Sequence, residues 1–284
     1  MASSLSPDIR ALLTPISKFK LRSHETSLTS HIPLLKSSPS PGPPGGPSLI
    51  LLGDSMLERL ITTCHSPNDL TAPEPWPSPT LLPTLPSGHS SRLPPGHILN
   101  CGVGGDKIQN VAYRLLGDAE KELPSLAEEI AKLNSVKVWL IHAGTNNLTS
   151  KRGLSDSDAE ALRVLVKAVL KVQEAPGGIK KTRVIVTGLF YRKDVPDEKV
   201  DEANKKIQNV VGRLNDEEEV GHGGDDGLAG EGRVSWLDPP PGIKKEEHLD
   251  DHVHLNLEGY RIWVGEVMYP AVSKVLREVE EEKV

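Results

Sequence analysis

Residues 49–56, with the sequence LILLGDSM, constrain the fold of this chain more than any other stretch. Four consecutive apolar residues open it and predict a short strand buried on both faces, because no polar residue alternates with them. Gly53 and Asp54 break this run, and helical spacing begins at Ser55. A serine on such a turn presents its hydroxyl at the carboxyl edge of a sheet, where backbone amides can stabilise an oxyanion. Serine is also a favoured helix N-cap, and from this stretch alone the cap is the more common interpretation.

Apolar runs and helical periodicities alternate along the rest of the chain, and this alternation predicts the fold class. Strand–helix–strand units of this kind form a parallel sheet that is covered by helices on both faces. We therefore predict a three-layer α/β/α sandwich with a five-stranded, mainly parallel sheet, and we expect ligands to bind at the carboxyl ends of its strands. The predicted strands span residues 49–52, 97–101, 136–143, 182–190 and 234–237, and the main predicted helices span 55–64, 126–133, 156–174, 197–214 and 256–280.

Proline, glycine and serine are concentrated in a few segments, which set the expected domain boundaries. Residues 37–47 form a linker that cannot continue a helix or a strand. We therefore expect residues 1–47 to be a flexible N-terminal extension and residues 48–284 to form the folded domain. Within that domain, residues 66–96 are expected to be a proline-rich surface insertion and residues 221–232 a flexible glycine-rich loop.

The charge balance and the cysteine count exclude several classes of protein. A formal net charge of −6 with no long basic stripe argues against a nucleic-acid-binding surface. Cys64 and Cys101 provide neither a disulfide framework nor a metal-binding pattern, and two reduced thiols are expected. The sequence contains no apolar stretch long enough for a transmembrane helix, and its N-terminus lacks the apolar core of a secretory signal. A cytoplasmic location is expected, with an organellar one through the Ser/Thr-rich N-terminus as the alternative.

Four segments with polar residues are predicted to converge at the carboxyl edge of the sheet. A serine hydrolase needs a base for the hydroxyl proton, a carboxylate to orient that base, and donors for the tetrahedral oxyanion. Asp251 and His254 are three residues apart and can supply an oriented base for Ser55. Gly105 offers an amide that no side chain obstructs, and Asn146 offers a neutral donor.

Each of these segments also has a structural interpretation. The glycines before Asp106 are compatible with a simple turn, Asn146 with a helix cap, and Asp251 with a solvated cap of the last helix. His248 lies close to Asp251 and His254 in the sequence, which raises the alternative of a metal site, but the other segments bring no obvious third ligand. The occurrence of all four segments in this order favours the catalytic interpretation, without a metal or a cofactor.

The order of these segments resembles the SGNH (GDSL-type) hydrolase superfamily, and within it the intracellular platelet-activating-factor acetylhydrolase catalytic subunits. The resemblance covers roughly residues 48–275 and implies a flavodoxin-like SGNH hydrolase fold. It implies Ser55 as the nucleophile, His254 as the base and Asp251 as the residue that orients the base. The oxyanion would be held by the amides of Ser55 and Gly105 and by the side chain of Asn146. The stretches that carry the resemblance are Gly53–Met56, Asn100–Asp106, Tyr113–Leu115, Val138–Trp139, Gly144–Asn147, Gly188–Leu189 with Arg192, Asp251–Leu255 and Gly259–Tyr260.

The predicted function is hydrolysis of a short-chain, acetyl-type carboxylic ester through an acyl-serine intermediate. The chain has only 2 phenylalanines and 4 tyrosines, so a deep aromatic acyl tunnel is not expected. We expect a small-molecule or lipid ester as the substrate, and a homodimer is left open. A thioesterase or acyltransferase with the same residues, or a non-catalytic interaction protein that retains the fold, are the alternatives. The candidate residues for the rim of the substrate pocket are Leu148, Phe190, Tyr191 and Arg192.

Overall fold

The described part of the chain is built around a five-stranded parallel sheet. The structure, a computed structural model, describes residues 5–36, 46–62, 75–79, 81–89, 91–94, 96–133, 135–172, 182–221 and 232–281. Its strands are β1 (Leu49–Gly53), β2 (Ile98–Gly102), β3 (Val138–His142), β4 (Arg183–Thr187) and β5 (Val234–Leu237). They follow the order β2-β1-β3-β4-β5, and every neighbouring pair is parallel. With helices on both faces, the predicted α/β sandwich is confirmed.

Helices connect the strands and cover the sheet. In the described residues they are α1 (Pro7–Leu13), α2 (Leu21–Thr26), α3 (Ile32–Lys36), α4 (Ser55–Thr62), α5 (Ile108–Leu116), α6 (Leu126–Ala131), α7 (Asp156–Lys171), α8 (Asp197–Gly221), α9 (Lys245–His248), α10 (Leu257–Ile262) and α11 (Tyr269–Glu281). A π-helical segment, Ser27–His31, joins α2 to α3, and another, Trp263–Met268, joins α10 to α11. Across these ranges, no helix is both long and apolar enough to cross a membrane.

Alternating side chains of the strands divide the core of the described residues into two clusters. In β1, Ile50 and Leu52 belong to one cluster and Leu49 and Leu51 to the other. This division follows from the two-residue period of a strand that is buried on both faces. The first cluster is completed by α1, α3 and α5 to α8, and the second by α4, α10 and α11.

The carboxyl ends of the central strands are aligned at one edge of the sheet. Gly53, the last residue of β1, is in register with Gly102 of β2 and with His142 of β3. The loops that leave these three positions therefore start side by side. They carry Ser55, Gly105 and the 143–147 segment, as the parallel arrangement predicted.

The structure differs from the predicted flexible extension over residues 1–47, because residues 5–36 are helical and packed against the domain. These residues form α1, α2 and α3, and four of their apolar side chains are at most 5% exposed within the first core cluster: Leu5, Ile9, Leu13 and Ile32. Short helices with few apolar residues give a sequence pattern close to that of a polar extension, and the proline-rich stretch that follows resembles a boundary. Residues 37–45 of that stretch lie outside the described residues.

The described half of the predicted 66–96 insertion packs against the C-terminal helices. Leu81 is fully buried in the second core cluster, and the Trp76 ring lies edge-on to Tyr269 with 5.6 Å between centroids. This half is irregular apart from a bridge between Trp76 and Leu93. Its carbonyl groups are bound locally, since Arg92 donates hydrogen bonds to Pro77, Leu82 and Pro83. Residues 66–74 of the insertion, and residues 222–231 of the predicted glycine-rich loop, lie outside the described residues.

Candidate active site

The turn between β1 and α4 places Ser55 at the carboxyl edge of the sheet. Glycine is required at position 53, because a Cβ on Gly53 would lie 1.9 Å from the His142 carbonyl oxygen of the neighbouring strand. The Asp54 carboxylate caps the helix, since its Oδ1 accepts a hydrogen bond from the Met56 N–H at 3.0 Å. Asp54 therefore caps α4, which was the alternative role proposed for Ser55. The Ser55 hydroxyl bonds to another residue.

Ser55, His254 and Asp251 form a continuous chain of hydrogen bonds. The Ser55 Oγ lies 2.9 Å from His254 Nε2, and His254 Nδ1 lies 2.6 Å from Asp251 Oδ2. The serine comes from the end of β1, while the other two residues come from the loop before α10. A proton on Nδ1, donated to the carboxylate, leaves Nε2 able to accept the serine proton. The fold thus brings together the three residues that the sequence proposed as nucleophile, base and orienting carboxylate.

Hydrogen bonds keep the Asp251 carboxylate ionised. Burial alone would raise the pKa of Asp251. Three N–H groups donate to its carboxylate, the backbone and ring N–H of His254 and the backbone N–H of Val253, and they hold the pKa well below the usual range. The Arg59 guanidinium lies 3.5 Å from Asp251 Oδ2. An ionised carboxylate at this position stabilises the imidazolium that forms when the histidine takes up a proton. The cap of α10 is Asn256 instead, which accepts a hydrogen bond from the Gly259 N–H.

Gly105 and Asn146 lie on the two loops beside the serine. Gly105 follows β2, is exposed and has a φ of +74°, a conformation that favours glycine. Asn146 follows β3, and its Nδ2 donates to the Asp106 carbonyl at 3.0 Å, which ties the two loops together. The adjacent Asn147 is buried, and its Oδ1 accepts a hydrogen bond from the Ile108 N–H at 3.0 Å. Asn147 thus binds the first turn of α5, whereas α7, the helix that follows it in the chain, is capped by Ser155.

Two buried ionisable side chains lie beneath this edge of the sheet. Burial lowers the pKa of His142 to about 3, so its ring is neutral and bonds to Thr187 Oγ1 at 2.7 Å and to Thr145 Oγ1 at 3.1 Å. Burial raises the pKa of Asp54 to about 7, against the opposing effect of hydrogen bonds from Met56 and Thr145. His142 is thus a neutral structural residue, and Asp54 is partly protonated near neutral pH.

The Cys101 thiol is also buried at this end of the sheet. It is free, and burial raises its pKa to about 12. A thiol in this environment is not a nucleophile at neutral pH. Cys64, the other cysteine of the chain, lies outside the described residues.

Two of the four residues predicted to form the pocket rim are in the core. Leu148 is 6% exposed within the first cluster. Phe190 is 7% exposed within the second and stacks on the His142 ring, with 5.7 Å between centroids. These positions do not favour an open rim formed by Leu148 and Phe190.

The other two predicted rim residues make polar contacts. Arg192 is buried, pairs with Asp194 at 2.6 Å and donates to the Thr145 carbonyl at 2.7 Å, which braces the residue before Asn146. Tyr191 is 40% exposed, and its hydroxyl donates to an aspartate of α8. A role of these residues in substrate binding stays a prediction.

The two other histidines near His254 in the sequence, His248 and His252, have other partners. His248 Nδ1 accepts a hydrogen bond from the Lys244 N–H at 2.9 Å. The His252 side chain is 59% exposed, and its Nε2 lies 3.9 Å from Asp194. Within the described ranges, no three His, Cys, Asp or Glu side chains are arranged to hold a metal ion.

A buried ion pair that the sequence reasoning missed links the serine turn to the loop of Gly105. Arg114 Nε lies 2.9 Å from Asp106 Oδ2, and neither side chain is exposed. The guanidinium also donates to the carbonyls of Gly53 and Cys101, at 3.0 and 2.9 Å. The signal was present, because Arg114 lies within the apolar stretch of α5, and an arginine on a buried helix face requires a partner carboxylate.

Comparisons with known proteins identify the family of the chain. A sequence profile of the GDSL-like Lipase/Acylhydrolase family matches residues 51–262. The platelet-activating factor acetylhydrolase IB subunit alpha1 of Rattus norvegicus is 26% identical over 221 residues, which cover 75% of this chain and 70% of the rat protein. The Homo sapiens subunit is also 26% identical, over 223 residues that cover 75% of this chain and 71% of its own.

A solved structure from Streptococcus pneumonia, described as that of a candidate platelet activating factor, shares the fold. It aligns over 91% of this chain and 92% of its own, with a TM-score of 0.51 and 15% identity. The family profile covers most of the chain, including Ser55, Gly105, Asn146, Asp251 and His254. The chain therefore belongs to the GDSL-like lipase/acylhydrolase family and is a carboxylic ester hydrolase.

Proposed function

We propose that this chain hydrolyses short-chain, acetyl-type esters through an acyl intermediate on Ser55. The observation that carries the proposal is the hydrogen-bonded chain from Ser55 through His254 to Asp251, with links of 2.9 and 2.6 Å. Both ring nitrogens of the histidine are engaged, one with a proton donor and the other with a carboxylate, as general-base activation of a serine requires. The names of the relatives, which are acetylhydrolase subunits, support an acetyl group.

The proposed reaction has two halves. In the first, Ser55 Oγ attacks the acyl carbonyl carbon while His254 Nε2 takes the hydroxyl proton, and the tetrahedral intermediate then expels the alkoxide, which leaves with that proton. In the second, water loses a proton to Nε2 and attacks the acyl-serine, and the proton returns to Ser55 Oγ as the carboxylic acid departs. Asp251 remains ionised throughout and stabilises the imidazolium in each half.

The oxyanion is assigned to three donors at the carboxyl edge of the sheet. Two are the backbone N–H groups of Ser55 and Gly105. The third is the amide Nδ2 of Asn146, which carries two hydrogens. One bonds to the Asp106 carbonyl, and we assign the other to the oxyanion. Because that first bond already fixes the amide plane, the donor needs little reorganisation in the transition state.

Apolar residues around this edge of the sheet are packed into the core, which favours a short acyl group in the substrate. Phe190 and Trp263 pack edge-to-face with 4.9 Å between centroids, and both are in the second core cluster. Side chains that fill the core in this way are not available to line a long acyl tunnel. We therefore expect acetyl to about butyryl esters to be preferred over esters of ten or more carbons.

The test is a panel of p-nitrophenyl esters of increasing acyl length, assayed with the full chain and with Ser55→Ala. We expect kcat/KM to be highest for acetyl and butyryl esters, and activity to disappear in the variant while its melting temperature stays unchanged, because only one hydroxyl is removed. Activity should also survive EDTA. Preference for a decanoyl ester would overturn the acyl-length proposal, and an active Ser55→Ala would overturn the nucleophile.

A thioester arm separates the proposed esterase from a thioesterase or acyltransferase. The same three residues would serve either reaction, so the site geometry does not distinguish them. Acetyl thioesters and alcohol acceptors are therefore assayed beside the p-nitrophenyl esters. We expect hydrolysis of the oxygen ester to be the fastest, and preferential transfer to an alcohol would favour an acyltransferase.

A further inference from the structure

Residues 18–24 of the N-terminal segment cross the loop that carries Gly105. The Lys18 N–H donates to the Gln109 carbonyl at 3.0 Å, and Asn110 Nδ2 donates back to the Lys18 carbonyl at 2.9 Å. These bonds fix the segment against the first turn of α5. A part of the chain that is distant in sequence therefore lies beside the proposed oxyanion site.

Lys20 is the side chain of this segment that reaches the oxyanion loop. Its Nζ donates to the Gly104 carbonyl at 2.8 Å and lies 3.3 Å from Asp106 Oδ1. A Cβ on Gly105 would lie 2.8 Å from the same Nζ, so the ammonium covers one side of that residue. Lys20 thus contacts the residues on both sides of the proposed donor.

The contact with the Gly104 carbonyl determines where the Gly105 amide points. These two groups belong to one planar trans peptide, so the C=O and the N–H point in opposite directions. A donor that holds the carbonyl oxygen on one side fixes the N–H on the other. Because the donor is a cation, its bond is also stronger than a neutral one and polarises the peptide, which makes the N–H a better donor.

The positive charge of Lys20 is not cancelled by its neighbours. Asp106 is already paired with Arg114, and neither of these side chains is exposed. Lys20, Arg114 and Asp106 together carry a net positive charge of one. The carboxyl of Asp54, which interacts with Asp106, is partly protonated near neutral pH and offsets only part of that charge. The next ion pair on this surface, between Arg22 and Glu58 at 3.0 Å, is neutral overall.

We propose that Lys20 is a positioning residue for the oxyanion site. It holds the peptide between Gly104 and Gly105 with the N–H directed to the developing oxyanion, and it adds positive charge there. This inference rests on the proposed function and extends it, because it makes the N-terminal segment part of the catalytic unit.

The test compares Lys20→Met with Lys18→Met in the full chain. The Lys18 side chain is exposed, so its replacement leaves the backbone bonds of the segment in place and serves as the matched control. For Lys20→Met we expect kcat on p-nitrophenyl acetate to fall roughly 10- to 100-fold, somewhat less than the loss of a whole oxyanion donor, with KM nearly unchanged. A trifluoromethyl ketone, which forms an anionic tetrahedral adduct on a serine, should lose affinity by the same factor. Lys18→Met should match the unmodified protein in all three measurements.

Lys20→Arg distinguishes positioning from a purely structural contact. It keeps the charge and the donor, so we expect it to recover most of kcat. If Lys20→Met has the same kcat as Lys18→Met, or if its loss of activity appears in KM alone, the inference is overturned while the esterase proposal stands. If Lys20→Met melts well below its control, Lys20→Gln, which keeps an N–H donor but not the charge, replaces it, and its kcat should fall below that of Lys20→Arg. An unmodified protein with no esterase activity would overturn the proposed function and this inference with it.

Discussion

At the scale of single residues, contacts distinguish the proposed base from its neighbour two positions away. His254 Nε2 lies 2.9 Å from the Ser55 hydroxyl, whereas His252 is 59% exposed and its nearest acidic neighbour is Asp194 at 3.9 Å. We therefore expect His254→Ala to lose activity to the same extent as Ser55→Ala. His252→Ala, the matched control, should cost less than about tenfold, or about 1.4 kcal/mol of barrier. Steady-state kinetics on p-nitrophenyl acetate measure both, and equal losses would show that the base is shared or wrongly assigned.

Asn146 offers a second prediction at this scale. Replacing it with alanine removes the side-chain donor assigned to the oxyanion, so kcat should fall roughly 10²- to 10³-fold with little change in KM. The bond to the Asp106 carbonyl is lost as well, and the melting temperature reports that structural contribution separately. A change confined to KM would show that Asn146 binds the substrate in its ground state instead.

At the scale of elements, sequence patterns locate the strands and helices of the sandwich well. The apolar runs predicted all of the strands described here, and β5 has the predicted bounds, Val234–Leu237. Errors occur where packing overrides the local pattern. The predicted strand over 182–190 ends at Thr187, because the Leu189 N–H instead binds the Asn204 side chain of α8 at 2.8 Å. The sequence indicated at most one short helix near residues 9–19 in the N-terminal segment, because α1, α2 and α3 together bury only three apolar side chains, which gives no clear period.

The N-terminal helices should therefore contribute to stability. Leu13 of α1 is fully buried in the first core cluster, and Leu21 of α2 is 59% exposed. We expect Leu13→Ala to reduce the free energy of unfolding by about 2 to 5 kcal/mol, the usual cost of a buried cavity. Leu21→Ala, the same substitution on the surface, should change it by less than about 0.5 kcal/mol. Urea unfolding measures both, and similar small effects would mean that the segment is not part of the folded core.

At the scale of the whole molecule, the candidate site depends on a topology that the sequence implies only in part. Parallel strands end at one edge, so the meeting of Ser55 with Asp251 and His254 could be predicted from the order of the motifs. The contact of Lys20 could not, because it depends on how the N-terminal helices pack against α5. The position of Arg114 in the buried stretch of α5 indicates that it needs a carboxylate partner, but only the assembled fold identifies that partner as Asp106.

Burial of ionisable groups also gives the whole molecule a pH-dependent stability. Burial lowers the pKa of His31 and His142 to about 3. Their contributions to stability are therefore complete above 6.5, their pKa in the unfolded chain, and are lost as the pH falls below that value. Burial raises the pKa of Asp54 from 3.8 to about 7, so its contribution is complete below 3.8 and is lost as the pH rises towards 7. Between these limits the histidines and the aspartate act in opposite directions. In this range the two histidines are protonated only in the unfolded chain, and the aspartate is protonated only in the folded one. The unfolded chain therefore binds more protons than the folded chain, and stability should increase with pH from about 4 to 6.5.

Asp54→Asn isolates the opposing contribution. The amide has nearly the same shape but does not ionise, so the variant avoids the cost of a buried carboxylate that has to stay protonated. Relative to that of the unmodified protein, its free energy of unfolding should therefore increase by about 3 kcal/mol as the pH rises from 4 to 7. Urea unfolding of both proteins across this range measures the difference, and the fixed effect of the substitution on packing cancels because it does not depend on pH. Curves that stay parallel would show that Asp54 titrates near its ordinary pKa and is ionised beneath the serine turn.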